Sequence, residues 1–207
     1  MMTDLFTQSV STILVLGAGS LGAEAAAAGA IEDTAGDGLP LAFWAGAHTD
    51  AARLLATGLQ RKLLLDAGPA PSGPFAERAI ERSIAEQNDA LRALLAGRAT
   101  VVLCGSLLEP DGALLLPVLA RALKQRGVVM WAVALDDGRA AVALPLRSCV
   151  PIACTEEALS GPARADARNK LLFATQQLLR ALTDAAENGS VPPVACPPVR
   201  AQCDARG

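Results

Sequence analysis

Short, continuous apolar runs alternate along the chain with longer stretches in which apolar residues recur every three or four positions. The continuous runs are 11–17, 39–45, 62–66, 100–104 and 128–135. They predict short strands buried on both faces, as in a parallel sheet. Two further strand candidates, 141–146 and 148–153, are interrupted by Pro145 and Arg147. The periodic stretches predict helices. Residues 19–30 are mostly Ala, so that helix can lie very close to a sheet. Thr49 or Asp50 can cap a short helix over 50–55. A long helix is predicted over 74–96, with Pro74 in its first turn and Gly97 as its stop. Phe75, Ile80, Ile84, Leu91, Leu94 and Leu95 form its apolar stripe. The next helix has Asp111 as its cap, Leu115, Val118, Leu119 and Ala122 on one face, and Gly127 at its end. A final helix over 165–187 carries Leu171, Leu172, Leu178, Leu179 and Leu182 at helical spacing. Residues 32–38 and 68–74 read as loops.

Strands that alternate with helices imply an α/β fold, a mostly parallel sheet with helices on both faces. Ligands on such sheets bind at the carboxyl ends of the strands. The loops 17–22, 46–50, 68–74, 105–112 and 136–139 would share that edge. The expected organisation is an N-terminal extension over 1–10, one domain over 11–189, and a Pro-rich mobile tail over 190–207.

Composition narrows the function. The 207 residues are 52% hydrophobic but only 3% aromatic, and the formal charge is −3. Few stacking platforms and no basic excess argue against nucleic-acid binding. Neither a signal peptide nor a membrane span is apparent, so a cytoplasmic protein without membrane insertion is expected. The five cysteines, Cys104, Cys149, Cys154, Cys196 and Cys203, are odd in number and include no CxxC pair. Reduced core or tail thiols are expected, with no metal site.

Gly17, Gly19 and Gly22 follow the first strand and open a helix. That spacing allows a tight turn and lets backbone N–H groups approach a phosphate. A dinucleotide site also needs an acid at the end of the second strand. Here that strand runs into Gly46, Ala47 and His48, so a dinucleotide-dependent oxidoreductase is disfavoured. His48, the one histidine, has no Gly-x-Ser-x-Gly elbow beside it and reads as a loop residue without a catalytic part. Asp136 and Asp137 read as a solvated turn.

The order of these segments resembles the N-terminal domain of the FtsZ/tubulin family, a Rossmann-like nucleotide-binding fold with a long C-terminal helix. Residues 17–22 resemble that family's opening phosphate loop. The stretch His48, Thr49, Asp50, Ala51 and Leu54 resembles its Asn-Thr-Asp-Ala-x-x-Leu segment. The helix ending at Gly97 and the strand ending at Gly105 fall in the family's order, as do the segments 117–134, 148–159 and the helix containing Phe173. The resemblance spans 11–189 and rests on order and spacing. It implies GTP or GDP contacts at Gly17, Gly19, Ser20, Leu21, Gly22, Thr49, Asp50, Gly68, Gly105, Ser106 and Gly112. It also places Gln177, or Gln176, where the family's central helix carries a guanine-reading Asp.

The departures are specific. The family's Gly-Gly-Gly-Thr-Gly-Thr-Gly loop is replaced by residues 106–112, with Pro110 removing a donor and Glu109 and Asp111 adding charge. A unit charge a few ångströms from a phosphate costs on the order of 1–4 kcal/mol. The family's acidic catalytic loop has no counterpart in 190–194, and its second domain is absent. The resemblance therefore implies a degenerate, non-hydrolysing protein with no catalytic residues and no resident cofactor. It would act through a protein partner or self-association, within an FtsZ-like system. A functional nucleotide-binding protein is the alternative expectation.

Overall fold

The computed structural model describes residues 13–34, 42–69, 73–98, 100–137, 149–155 and 159–187. The two ends and the strand candidate 141–146 lie outside the described residues. Six strands make one sheet: β1 (Ile13–Ala18), β2 (Ala42–His48), β3 (Lys62–Leu64), β4 (Thr100–Ser106), β5 (Val129–Asp136) and β6 (Cys149–Ala153). Their order is β3-β2-β1-β4-β5-β6 and every pairing is parallel. The chain thus winds outward in both directions from the centre. The strand order reverses between β1 and β4, which opens a crevice at their carboxyl ends.

Helices cover both faces: α1 (Gly19–Thr34), α2 (Ala51–Ala56), α3 (Gly73–Glu86), α4 (Asn88–Leu95), α5 (Pro110–Lys124) and α6 (Gly161–Glu187). Alternation along the strands divides the core in two. Leu14, Leu16, Leu63 and Leu103 face Ile80, Leu91, Leu115 and Leu119 from α3, α4 and α5. Val15, Val102, Val133 and Trp131 face Leu21, Ala25, Leu171 and Leu178 from α1 and α6. Each of the fully buried leucines contributes on the order of 1.5–3 kcal/mol. The Ala-rich α1 lies against the sheet as expected. At Gly22 a Cβ would stand 2.4 Å from the carbonyl oxygen of Cys104, so only glycine permits that approach.

Several boundaries differ from the sequence expectation. Helix α1 continues through Thr34, and β2 runs on to His48, while residues 39–41 of the expected strand lie outside the described residues. The helix expected over 74–96 is two helices, because Gln87 leaves helical geometry at φ −93° and ψ 24°. Its side-chain amide donates to the carbonyl of Leu64, and to Ser83 Oγ at 3.3 Å, which ties the break to β3. Asp136 is buried at the end of β5, not part of a solvated turn. The Ser106 hydroxyl is buried at the end of β4. No helix among the described residues is long and apolar enough to cross a membrane.

Candidate functional site

The crevice between β1 and β4 receives two segments: the amino end of α1 and the turn 107–109 that leads into α5. The first N–H groups of α1 have no partners within the helix and carry partial positive charge. Two carboxylates from the turn and α5 take them. The Ser20 N–H donates to Asp111 Oδ2 at 2.8 Å, and the Leu21 N–H donates to Glu109 Oε2 at 3.0 Å. The Ser20 hydroxyl donates to the same Asp111 oxygen at 2.6 Å. Carboxylate oxygens thus occupy the positions from which backbone N–H groups would hold a phosphate.

Close backbone contact fixes this arrangement. Gly19 has φ +75°, and a Cβ there would lie 2.7 Å from the Gly112 nitrogen. At Gly112 a Cβ would lie 2.1 Å from the Ser106 carbonyl oxygen. The paired glycines therefore let the start of α5 sit on the start of α1. Asp111 was expected to cap α5. Glu109 holds the cap position instead, with extended backbone, and the second oxygen of Asp111 accepts from the Gly112 N–H at 2.8 Å. Pro110 opens α5, where a missing N–H costs little.

His48 was expected to be a loop residue with no part in a site. It ends β2, is 2% exposed, and closes the cluster from the other side. Its Nδ1 accepts from the Asp50 N–H at 2.7 Å, which assigns the ring proton to Nε2. Nε2 lies 2.8 Å from Asp111 Oδ2 and 2.9 Å from Ser20 Oγ. A hydrolytic triad has its carboxylate on one ring nitrogen and its serine on the other. Here both partners share Nε2, and Ser20 Oγ also accepts from Arg53 Nη1 at 2.9 Å. The histidine holds the serine and acid in place without a free nitrogen to take the serine proton. Burial alone would raise the Asp111 pKa, but the hydrogen bonds from His48 and Ser20 outweigh it and hold the carboxyl well below its ordinary range.

Arg164 at the start of α6 locks the second carboxylate. Its guanidinium binds Glu109 through Nη1 and Glu24 Oε1 through Nη2, the latter at 2.8 Å. Glu24 lies one turn into α1, so α6, α1 and the turn before α5 are joined through one side chain. Nothing in the sequence marked Arg164, Arg53 or Glu24. Their roles depend on three helices meeting, which no local motif records.

The remaining expected contact residues divide into two groups. Thr49 and Gly68 line a cleft of about 340 Å³ with Asp66, Pro110 and Asp111. A second cleft, of about 430 Å³, lies beside Ser20, Glu24, His48, Arg53 and Arg164. Asp50 caps α2, its Oδ1 accepting from the N–H groups of Ala52 at 2.8 Å and Arg53 at 3.2 Å. Gly17 in β1 and Gly105 and Ser106 in β4 are buried near the carboxyl ends of their strands. Gln177 is not brought to the cluster. It is exposed on α6, and its neighbour Gln176 reaches Glu32 near the far end of α1. Among the described residues no group of His, Cys, Asp and Glu side chains could hold a metal ion.

No protein-family model matches the chain, and no curated protein matches it. Solved structures do. FtsZ from M. jannaschii, in an empty dimer, superposes with a TM-score of 0.68 at 20% identity over 87% of this chain. CetZ2 from Haloferax volcanii, in a GTPγS-bound protofilament, gives 0.63 at 16% identity over 85% of the chain. The fold is that of the FtsZ/tubulin N-terminal domain. CetZ1 from the same organism, a GDP-bound monomer, gives 0.60 at 13% identity over 83% of the chain. The FtsZ-like match takes in 57–60% of the length of these structures. At such identities the likeness establishes the shared fold alone.

Proposed function

We propose that this FtsZ/tubulin-like domain is a pseudo-GTPase whose phosphate-binding end is closed by its own carboxylates. It acts through protein contacts, as an assembly or regulatory module of an FtsZ-like system in the cytoplasm. The observation that carries this reading is the pair of bonds from the Ser20 and Leu21 N–H groups to Asp111 and Glu109. A phosphate entering there must displace two charge-assisted bonds, each stronger than a neutral one. It must also remain near both displaced carboxylates, Asp111 held by His48 and Glu109 by Arg164. His48 spends both ring nitrogens on Asp50, Ser20 and Asp111 and so has none free to activate water.

The nucleotide content of freshly purified protein tests the proposal. Protein free of bound guanine nucleotide, with no thermal shift on adding GTP, is expected. Nucleotide co-purifying near one per chain would overturn the proposal. The regulatory role is tested by adding the protein to an assembling FtsZ-type polymer. A change in polymer mass without added phosphate release is the expected result.

A second reading has one observation in its favour. The clefts on either side of the carboxylates are lined by Thr49, Gly68, Arg53 and Arg164. Two of the similar structures hold GTPγS or GDP. In this reading the turn 107–109 swings out, Arg164 releases Glu109, and the freed N–H groups take phosphate. It predicts nucleotide in the purified protein, the opposite outcome of the same measurement.

A further inference from the structure

At the end of the molecule that holds the start of β4, a cleft of about 630 Å³ is lined by Asn88, Arg92, Leu95, Ala96, Arg98, Gln125, Arg126 and Val128. Three arginines and no acid line it, in a chain whose net charge is −3. A fourth arginine is joined to it through an aromatic ring. The guanidiniums of Arg98 and Arg61 each lie 3.4 Å from the centroid of Phe43. Two carbons at that distance from one ring must take opposite faces, so Phe43 is sandwiched between two cations. Such contacts stabilise by about 0.5–2 kcal/mol each, and Phe43 holds both forks in fixed planes.

Several acids elsewhere are paired with other arginines. Glu77 and Glu81 hold Arg121, Glu24 and Glu109 hold Arg164, and Asp50 lies beside Arg53. Among the described residues no carboxylate forms an ion pair with Arg61, Arg92, Arg98 or Arg126. Arg98 binds the Leu94 and Ala96 carbonyls through Nη1 at 2.7 and 2.9 Å, but its Nε is buried with no hydrogen-bond partner. Arg126 is positioned by the Ala122 carbonyl at 2.8 Å and Asn88 Oδ1 at 3.0 Å. Three arginines that line one cleft without a carboxylate, with a desolvated donor among them, make a site suited to an anion. Guanidinium forks suit phosphate oxygens, which accept two parallel bonds.

We infer that this cleft binds a small ligand carrying two or more linked phosphates. Its three lining cations match a charge of about −3, where a single carboxylate would leave most of them unanswered. The three guanidiniums line one cleft, so a free molecule with linked phosphates can meet them together. It does not include the Ser20–Asp111 cluster and does not depend on the fate of that site.

Calorimetric titration of the full chain with inorganic tripolyphosphate tests the inference. Saturable binding at one site per chain is expected, weakening as salt is raised. Citrate, of similar charge but built of carboxylates, should bind at least about tenfold more weakly. The R92E variant should lose at least about tenfold in affinity, a change near 1.4 kcal/mol, and R61E, on the far face of Phe43 and outside the lining, should lose less. Neither side chain makes a hydrogen bond or ion pair with a described residue, so both variants should fold. The R180Q variant, altered on the exposed side of α6, should bind as the wild type does. Absence of saturable binding, or binding unchanged in R92E, would overturn the inference. So would loss of binding in R180Q alone. Retention only on vesicles bearing phosphoinositides, without binding to soluble tripolyphosphate, would overturn the free-ligand assignment.

Discussion

Asp111 Oδ2 accepts from both the backbone N–H and the hydroxyl of Ser20, at 2.8 and 2.6 Å. One carboxylate oxygen thereby satisfies an orphan donor of α1 and fixes the side chain beside it. The same oxygen faces His48 Nε2 at 2.8 Å. Together these contacts make the start of α5 an internal anion for the start of α1.

Replacing Asp111 by Asn should destabilise the domain by about 1–3 kcal/mol near neutral pH, because a charged acceptor of buried donors is lost. The pH dependence follows from its lowered pKa. A carboxyl group depressed on folding contributes stability that is fully present above its unfolded pKa. That contribution is lost as pH falls through the folded value. The gap between wild type and D111N should therefore be constant above about pH 5 and shrink below about pH 4. Denaturant titrations at several pH values measure it. A gap that widens on acidification would contradict the assigned contacts.

Gly19→Ala tests the close approach of α1 and α5. The added methyl would meet the Gly112 backbone at 2.7 Å, at a φ of +75° that disfavours any side chain. A loss of at least about 2 kcal/mol is expected, since strained backbone alone costs on the order of 1–3 kcal/mol. Thermal unfolding measures it. A variant as stable as the wild type would mean that the turn before α5 does not rest on α1.

Much of the fold could be read from the chain because its signals are local. The runs in β1, β4 and β5 are apolar throughout, as strands buried on both faces must be. Gly97 and Gly127 end their helices with positive φ, as their positions suggested. The candidate site was less legible. The sequence Glu109, Pro110, Asp111 carries the normal marks of a helix start, and those marks do not say that both acids serve a second helix. His48 opens the segment that resembles Asn-Thr-Asp-Ala-x-x-Leu, yet that likeness does not say that the end of β2 places it against Ser20. The break at Gln87 has neither Gly nor Pro, and its cause is a bond to β3 from outside the helix. In each case the deciding partner is distant in sequence.

Cys104 should resist thiol reagents in the folded protein. It is fully buried between α1 and the sheet, and burial pushes its pKa up to about 12. Cys149, at about 11, is also raised by burial and by Asp136. The thiolate is the reacting form, so Cys104 should stay unlabelled at pH 8 until the chain unfolds. Peptide-level mass spectrometry after brief alkylation checks this. Fast labelling of Cys104 without denaturant would place the α1 face of the sheet in frequent exchange with solvent.

Arg164→Ala should free Glu109 and Glu24 from α6 while leaving Asp111 in place. The bridge is partly exposed, so the loss of stability should be at most about 1 kcal/mol. Hydrogen exchange should quicken at the Leu21 N–H, which Glu109 accepts, and not at the Ser20 N–H, which Asp111 accepts. Equal change at both would show that the two carboxylates move as one.

The most direct measurement is an equilibrium GTP titration of the wild type beside the E109Q/D111N variant, with phosphate release followed in parallel. Wild-type protein should show no saturable binding below about 1 mM, weaker than about −4 kcal/mol, and no release above background. Removing both charges should strengthen binding by at least about tenfold, as the α1 N–H groups lose their internal anions. Micromolar affinity of the wild type with turnover, unaffected by the double substitution, would contradict a site closed by Glu109 and Asp111.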